Sequence, residues 1–470
     1  MNLRLPPAWA RGPRDKFVKI ERRDFSQLPG QLWKRLRVRV PDYELVKLET
    51  LEGFRPGGYH PIHLHDELHD GRYRVVHKLG HGGFGTVWLC RDCHAATPTY
   101  VAIKILVANQ TEKDDRELLS AARLAELRID DDPFGSHVVL PRTHFFSHSP
   151  NGTHRCLVYP VLGPPVHDAA MVWDGDERGV ALFQEAARQV VGTLEALHSR
   201  GICHGDFRPG NILLGLRNLD GLDEEQVLEL LGEPETTEIF IRKDSQPTPD
   251  IPYAPRYLVY PVSYVDVDED AILPHIHVID LGQSFDTTRQ PLPAAFGIPA
   301  NYAAPEVVLD QRGDVAMDLW SLGCTLYELR LGRRLFDVFQ TNVLCKQHYV
   351  DEVASLLGAP PEPWDDYYSE EDDSSCGNAT ASDSTESGGD QVDGERNDGQ
   401  RDRVVHALVE RLALCPDCPG TDCTHPRFQG ISEAEAITFA DLLEQLLRYR
   451  PEDRLQARNL LMHPWFHTRY

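Results

Sequence analysis

From Tyr73 onward, apolar and polar residues alternate with a period of two, which predicts strands packed on at least one face. Three segments carry the pattern: Tyr73-Arg-Val-Val-His-Lys-Leu79, Thr86-Val-Trp-Leu-Cys90 and Tyr100-Val-Ala-Ile-Lys-Ile-Leu-Val107. A Gly-rich turn follows the first and a polar turn follows the second, so they read as antiparallel neighbours. Over 112–128 the composition turns helical, rich in Glu, Leu, Ala and Arg. Leu157-Val-Tyr-Pro-Val-Leu162 reads as a further strand ending at Gly163. Beyond it, apolar residues recur at helical spacing over 180–199, 314–331 and 433–448. Strands first and helices afterwards predict an α+β chain.

Two stretches interrupt this plan. Residues 215–275 begin with a helical piece, Glu224 to Leu231, and continue Pro-rich and extended. Residues 362–398 hold thirteen Asp or Glu against a single Arg396. Such a run cannot bury enough apolar surface to offset chain entropy, so 362–402 is expected to be a disordered acidic insert. The resulting division is a basic extension over 1–45, a first lobe over 46–162 and a second over 163–470.

Charge sharpens the picture. Across 470 residues, 48 Lys or Arg against 73 Asp or Glu leave a formal charge of -25. A chain this acidic is a poor nucleic-acid binder and suits basic peptides. The basic residues collect at the start, where 1–40 holds eleven Lys or Arg. No stretch reaches the roughly 20 apolar residues of a membrane span, and no signal peptide is visible. Ten scattered Cys without a secretory signal fit free thiols in the cytoplasm or nucleus.

The strongest candidate chemistry is His204-Gly-Asp-Phe-Arg-Pro-Gly-Asn211. Asp206, Arg208 and Asn211 stand at the spacing that phosphoryl transfer uses for base, phosphate-facing cation and magnesium ligand. Gly80-His-Gly-Gly-Phe-Gly85-Thr-Val87 fits GxGxxGxV. Taken alone it could be an ordinary turn, but here it joins two strands, whereas the dinucleotide version must open a helix. Without Cβ atoms, its backbone amides can approach a triphosphate. Lys104 of Val101-Ala-Ile-Lys104 would be a solvent-facing lysine in an isolated strand; behind a Gly-rich loop it can reach phosphates. It then needs a carboxylate, and Glu117 is chosen over Glu112 and Glu126. Asp280-Leu-Gly282 ends the apolar Ile276-His-Val-Ile279, and Asp280 with Asn211 would give magnesium hard oxygen ligands.

Ala304-Pro-Glu306, Asp318-Leu-Trp-Ser-Leu-Gly323, Arg450-Pro-Glu-Asp-Arg454 and His463-Pro-Trp-Phe466 follow in order. Over 73–466 the chain resembles the eukaryotic protein kinase superfamily. Within it, the chain resembles the SR-protein kinases through Gly57-Gly-Tyr-His-Pro-Ile62, Gly71-Arg-Tyr-Arg-Val-Val-His-Lys-Leu79, the DLG tripeptide, Leu157-Val-Tyr-Pro-Val-Leu-Gly163 and the interruption after the catalytic loop.

The resemblance implies a bilobed fold, a β-rich small lobe and a mainly helical large lobe, with ATP and Mg2+ as cofactors. The nucleotide site would comprise Leu79, Gly80, His81, Gly82, Gly83, Phe84, Gly85, Thr86, Val87, Ala102, Lys104 and Glu117. The backbone at Pro160 and Leu162 would meet the adenine. Glu306 and Arg454 would pair, and Asp318 would brace the catalytic loop. The substrates implied are Arg/Ser-rich splicing factors, phosphorylated on Ser or Thr by a monomeric enzyme.

Two departures stand out. Gly205 replaces the customary Arg before the catalytic Asp, so activity is expected without activation-loop phosphorylation at Ser284, Thr287, Thr288 or Tyr302. Arg208 replaces the customary Lys, keeping the charge but changing its shape. The competing readings are a small-molecule phosphotransferase of the aminoglycoside or choline type, and a non-catalytic scaffold.

Three metal or haem patterns have blander readings beside them. Cys90-Arg-Asp-Cys93-His94 matches a haem attachment pattern but sits on a strand and turn. The histidines at 60, 63, 65 and 69 read as lobe surface. Cys415, Cys418, Cys423 and His425 could close a tetrahedral zinc site, against the bland reading of a Pro-rich loop with free thiols.

Overall fold

A computed structural model describes residues 36–38, 48–113, 116–169, 177–241, 253–338, 345–368, 396–413 and 431–470. They form two compact units, one strand-rich and one mainly helical, as an α+β chain requires. The first draws on the chain up to Asp115, on Leu140–Gly163 and on Leu216–Leu273; the second holds Arg116–Val139, Pro164–Gly215 and Pro274–Tyr470.

The first unit is built on a six-stranded sheet. In chain order its strands are β1 (Leu36–Val38), β2 (Glu67–Leu68), β3 (Tyr73–Gly82), β4 (Gly85–Asp92), β5 (Tyr100–Leu106), β6 (Thr143–Ser149), β7 (Gly152–Tyr159), β8 (Thr236–Ile241) and β9 (Tyr257–Val259). The main sheet runs β2-β3-β4-β5-β7-β6, and its pairs are antiparallel. The period of two sends Tyr73, Val75, Trp88, Cys90, Val101, Ile103 and Ile105 into one buried cluster. Val76, Leu89 and Tyr100 face the other way. The strand ending at Leu162 stops instead at Tyr159, because Pro160 brings no amide hydrogen to the ladder.

The interruption, assigned above to the second lobe, packs in the first unit. Glu224–Leu231 is a helix as expected, opened by a capping box between Asp223 and Gln226. Its Val227 and Leu231, with Leu216, Leu219, Val262 and Val267, cover the Val76–Leu89–Tyr100 face. β8 pairs with both β1 and β9 in a small antiparallel sheet. A half-apolar strand face needs a cover, and this segment supplies one.

The lead-in before β2 is fastened by Lys78, which is wholly buried and forms an ion pair with Glu49, itself 3 % exposed. Burial pulls the Lys78 ammonium below its usual range, and Glu49 opposes that pull. Tyr59 Oη donates to the Gly82 carbonyl at 2.9 Å, tying the lead-in to the Gly-rich turn.

The second unit contains helices α1 (Arg116–Glu126), α2 (Glu177–His198), α3 (Pro305–Asp310), α4 (Val315–Leu331), α5 (Lys346–Leu357), α6 (Arg396–Ala413) and α7 (Glu433–Leu446). α4 is buried nearly all round, as its lack of a polar face demands. Glu306 and Arg454 form the expected bidentate pair at 2.6 and 2.7 Å, and the guanidinium lies over Trp320. Trp465 of the closing HPWF is fully buried against Phe183 and Phe439.

The ends of the acidic insert are ordered, contrary to expectation. Trp364 is buried and donates to Asp310 Oδ1 at 3.1 Å. α6 begins at Arg396 because Val404, Leu408 and Leu412 recur four apart and all three are buried. Charge density over 362–402 masked Trp364 and the start of α6, whose apolar anchors lie just beyond it. The middle of the insert, the 1–35 stretch of the basic extension and Cys415, Cys418, Cys423 and His425 lie outside the described residues.

Replacing Lys78 by Met should destabilise the fold by about 3–5 kcal/mol, because it strands the buried Glu49 carboxylate. Replacing both, as Glu49→Leu with Lys78→Met, should cost far less. Urea unfolding midpoints of the two variants measure the difference.

Candidate active site

The predicted site residues fall on both units. The first carries Leu79, the Gly-rich turn, Ala102, Lys104, Pro160 and Leu162; the second carries Glu117, Asp206, Arg208, Asn211 and Asp280.

In the first unit, β3 and β4 pair Gly80 with Val87, His81 with Thr86 and Gly82 with Gly85, leaving Gly83-Phe84 as a two-residue tip. A Cβ at Gly80, Gly82 or Gly83 would meet nothing within 4 Å, so protein packing does not require glycine there. Gly85 differs, since its Cβ would lie 2.4 Å from the Ile105 carbonyl oxygen. Three glycines with open space above them fit a group approached by backbone amides. Phe84 at the tip is half exposed. β5 pairs Lys104 with Val87 of β4 and Leu157 of β7, and Ala102 with Leu89 and Tyr159. The Leu162 carbonyl accepts from Tyr264 Oη at 3.2 Å, a contact supplied by the interruption and not legible in the sequence.

In the second unit the catalytic loop hangs from Asp318. This carboxylate is fully buried in α4 and accepts from the backbone amides of His204 and Gly205 at 2.7 and 2.9 Å. His198 Nε2 lies 3.1 Å from the same group. Burial pushes Asp318 up, but the His198 contact and the other partners prevail and hold it below the usual carboxylate range. Gly205 has a φ of +77°, and a Cβ there would lie 2.4 Å from the Gln283 carbonyl oxygen. No arginine fits at that position without moving the backbone.

Beyond Gly205 the chain presents Asp206, which is 7 % exposed. Asn211 Nδ2 donates to the Asp206 backbone carbonyl at 2.8 Å and to its Oδ2 at 2.9 Å. Arg208 Nε sits 3.1 Å from both carboxylate oxygens. Burial raises the Asp206 pKa above its ordinary 3.8, and Arg208 and His204 limit the rise. With its amide nitrogen engaged, Asn211 has its amide oxygen available to a cation. The Ile279 amide donates to the Asn211 carbonyl at 3.0 Å, so the next residue, Asp280, starts beside Asn211. Asp280 adopts a left-handed backbone and its Oδ1 accepts from the Gly282 amide at 3.3 Å. Glu117 is buried in α1, and a Cβ on Gly282 would lie 3.8 Å from its Oε2. An amide oxygen and a carboxylate at neighbouring strand ends are the hard donors that magnesium prefers.

Two of the four hydroxyls named as phosphorylation candidates are structural. Ser284 is 1 % exposed, and Tyr302 is 7 % exposed with its hydroxyl donating to Glu328 at 2.6 Å. Cys90 of the haem-like pattern lies in the sheet interior, and His60 contacts Ser147 across the first unit.

A buried carboxylate held by an arginine and an asparagine, next to a strand-end carboxylate, is the arrangement expected of a phosphoryl-transfer loop. The sequence profile of the protein kinase domain matches residues 73–220 and 260–466. The chain belongs to the protein kinase family. The unmatched residues 221–259 fall inside the interruption.

Among relatives, the chain is 26 % identical over 435 residues to the serine/threonine-protein kinase SRPK of Physarum polycephalum, covering 89 % of this chain and 91 % of that one. It is 33 % identical over 192 residues to the serine/threonine-protein kinase SKY1 of Saccharomyces cerevisiae, covering 39 % of this chain and 25 % of that one. It is 35 % identical over 171 residues to the human SRSF protein kinase 3, covering 35 % and 29 %. The chain is thus similar to serine/threonine kinases of the SR-protein kinase type.

If Asp206 is the base, kcat/KM should fall as pH drops, with an acid limb whose midpoint lies above 3.8 because burial disfavours the carboxylate. A pH–rate profile with peptide substrate at saturating nucleotide reads this limb. Asp206→Asn should remove it.

Proposed function

We propose that this protein is an ATP- and Mg2+-dependent serine/threonine kinase acting, as a monomer, on basic Arg/Ser-rich proteins such as splicing factors. The observation that carries the reading is the Asp206–Arg208–Asn211 cluster suspended from buried Asp318. Its polar groups are complete, which a scaffold does not need. The APE, DLWSLG and RPEDR elements, which build the second unit around Glu306–Arg454, argue against a small-molecule phosphotransferase.

Mechanistically, Asp206 orients the substrate hydroxyl and accepts its proton as the oxygen attacks the transferred phosphoryl group. Asn211 fixes the Asp206 carboxylate, so little reorganisation is needed at the moment of reaction. Arg208 keeps its Nε on Asp206, and its terminal nitrogens remain for charge on the moving group. Gly210 leaves room for this, since a Cβ there would lie 2.7 Å from Arg208 Nη1. Asn211 and Asp280 would hold the metal, and Lys104, for which Glu117 is the expected carboxylate, would fix the triphosphate together with the open Gly-rich turn. Magnesium, when bound, neutralises phosphate charge. The formal charge of -25 supports attraction of Arg-rich substrates.

Asp206→Asn should lower kcat about 10²–10⁴-fold while leaving nucleotide affinity near wild type, as expected when a positioned base is lost. Transfer from labelled ATP to an Arg/Ser peptide, compared with choline and an aminoglycoside, checks both step and substrate class. Equal turnover by Asp206→Asn would overturn the role of Asp206.

Of the remaining two phosphorylation candidates, Thr288 is exposed, and Thr287 is partly exposed with its hydroxyl donating to the Gly201 carbonyl at 2.9 Å. The double variant Thr287→Val with Thr288→Val should keep at least about half of wild-type turnover. Phosphatase treatment of the wild type should change nothing.

A further inference from the structure

Two contacts and one close approach link α1 to the segment that leaves the Asp280–Gly282 turn. Glu117 Oε2 lies at the rim of Gly282, 3.8 Å from where a Cβ would sit. Ser284 Oγ is 2.6 Å from Ser120 Oγ and 2.6 Å from the Leu281 carbonyl oxygen. Both serines are buried, so Ser120 can donate to Ser284 while Ser284 donates to Leu281. Arg123 Nε donates to Asp286 Oδ2 at 2.9 Å. Along the helix Glu117, Ser120 and Arg123 recur every three residues on one stripe of its surface; opposite them, the chain passes from the tight turn Leu281–Gln283 through Ser284 into the short strand Phe285–Asp286. The Ser120–Ser284 and Arg123–Asp286 contacts therefore both fall on the one stripe that also carries Glu117.

The last contact is the charged one. The Asp286 side chain is 9 % exposed and also lies 3.3 Å from Arg289 Nε. Its Oδ1 accepts from the Thr288 amide at 2.9 Å and from the Thr288 hydroxyl. Arg123 reaches Glu126 at 3.2 Å, and Glu126 in turn lies 3.8 Å from Arg289. A carboxylate with this many donors is a fixed anion in the activation segment.

We propose that Asp286 and Arg123 are positioning residues that lock α1, and with it Glu117, onto the activation segment without any phosphate. The assignment rests on the kinase reading, in which Glu117 is the carboxylate expected for Lys104. It also accounts for Gly205. With Asp286 as a permanent anion and Arg123 as its cation, the arginine usually found before the catalytic Asp has no phosphate to bind.

The test compares Asp286→Asn, Arg123→Ala, their double variant and the conservative Asp286→Glu. Steady-state kinetics with an Arg/Ser peptide are read alongside amide hydrogen exchange over 116–126. Each single variant should raise KM for ATP about tenfold, the weight of one charge-assisted contact, with peptide KM unchanged. The double variant should be no worse than either single, because both remove the same contact. Asp286→Glu should stay within about threefold of wild type, since it keeps the charge. Exchange over 116–126 should quicken in both singles. Unchanged KM for ATP with unchanged exchange would overturn the proposal, as would additive losses in the double variant. If the wild type phosphorylates no peptide, the kinase reading falls, while hydrogen exchange in Arg123→Ala still decides whether the lock exists.

Discussion

The Asp318 carboxylate is the constraint on which the catalytic half of the structure depends. A fully buried charge is costly unless its lone pairs are filled, and here two backbone amides and an imidazole fill them. The arrangement works in both directions. The anion stays ionised because the loop donates to it, and the loop keeps its sharp shape because the anion collects two consecutive amides. Gly205 belongs to the same device, since aiming its amide at Asp318 accompanies a backbone that other residues adopt only with strain. Asp206 is thereby delivered into a nearly closed environment where its own charge is held by Arg208 and Asn211.

The first unit solves a different problem. A sheet with apolar residues on both faces must be covered twice, and the interruption after the catalytic loop provides much of the second cover. It therefore contributes to the fold that presents the Gly-rich turn. Tyr264 extends this contribution to the backbone at Leu162, where the adenine is expected. The lead-in acts similarly from another side, through the buried Glu49–Lys78 pair and the Tyr59 bond to Gly82. Segments that look peripheral in sequence thus set the backbone of the nucleotide-binding elements.

What could be seen in the sequence follows from which interactions are local. The β3–β5 strands were legible because alternation is written residue by residue, and the helix at 224–231 because its cap and apolar stripe are contiguous. The Glu306–Arg454 pair and the Asp318 brace were legible only through family resemblance, since each joins residues over 100 positions apart. β6 was missed because its exposed face carries His144, Phe146 and His148, which blurs the alternation. α6 was missed because three apolar anchors were outweighed by surrounding charge. The partnership between 116–123 and 282–286 was invisible because each of its contacts joins residues more than 160 positions apart.

Because its anion is a side chain of the sequence, the Arg123–Asp286 anchor is permanent. A phosphorylated hydroxyl is a conditional anion, and a segment relying on it is ordered only when modified. Asp286 is present in every copy of the chain, and its neighbours Ser284 and Gly282 already match α1 by size and hydrogen bonding. Thr288 is engaged as a donor to Asp286, so a phosphate added there would bring two negative groups together and would lose that donor. In this protein, modification of the segment therefore has electrostatic grounds to loosen the helix contact where it ordinarily tightens it.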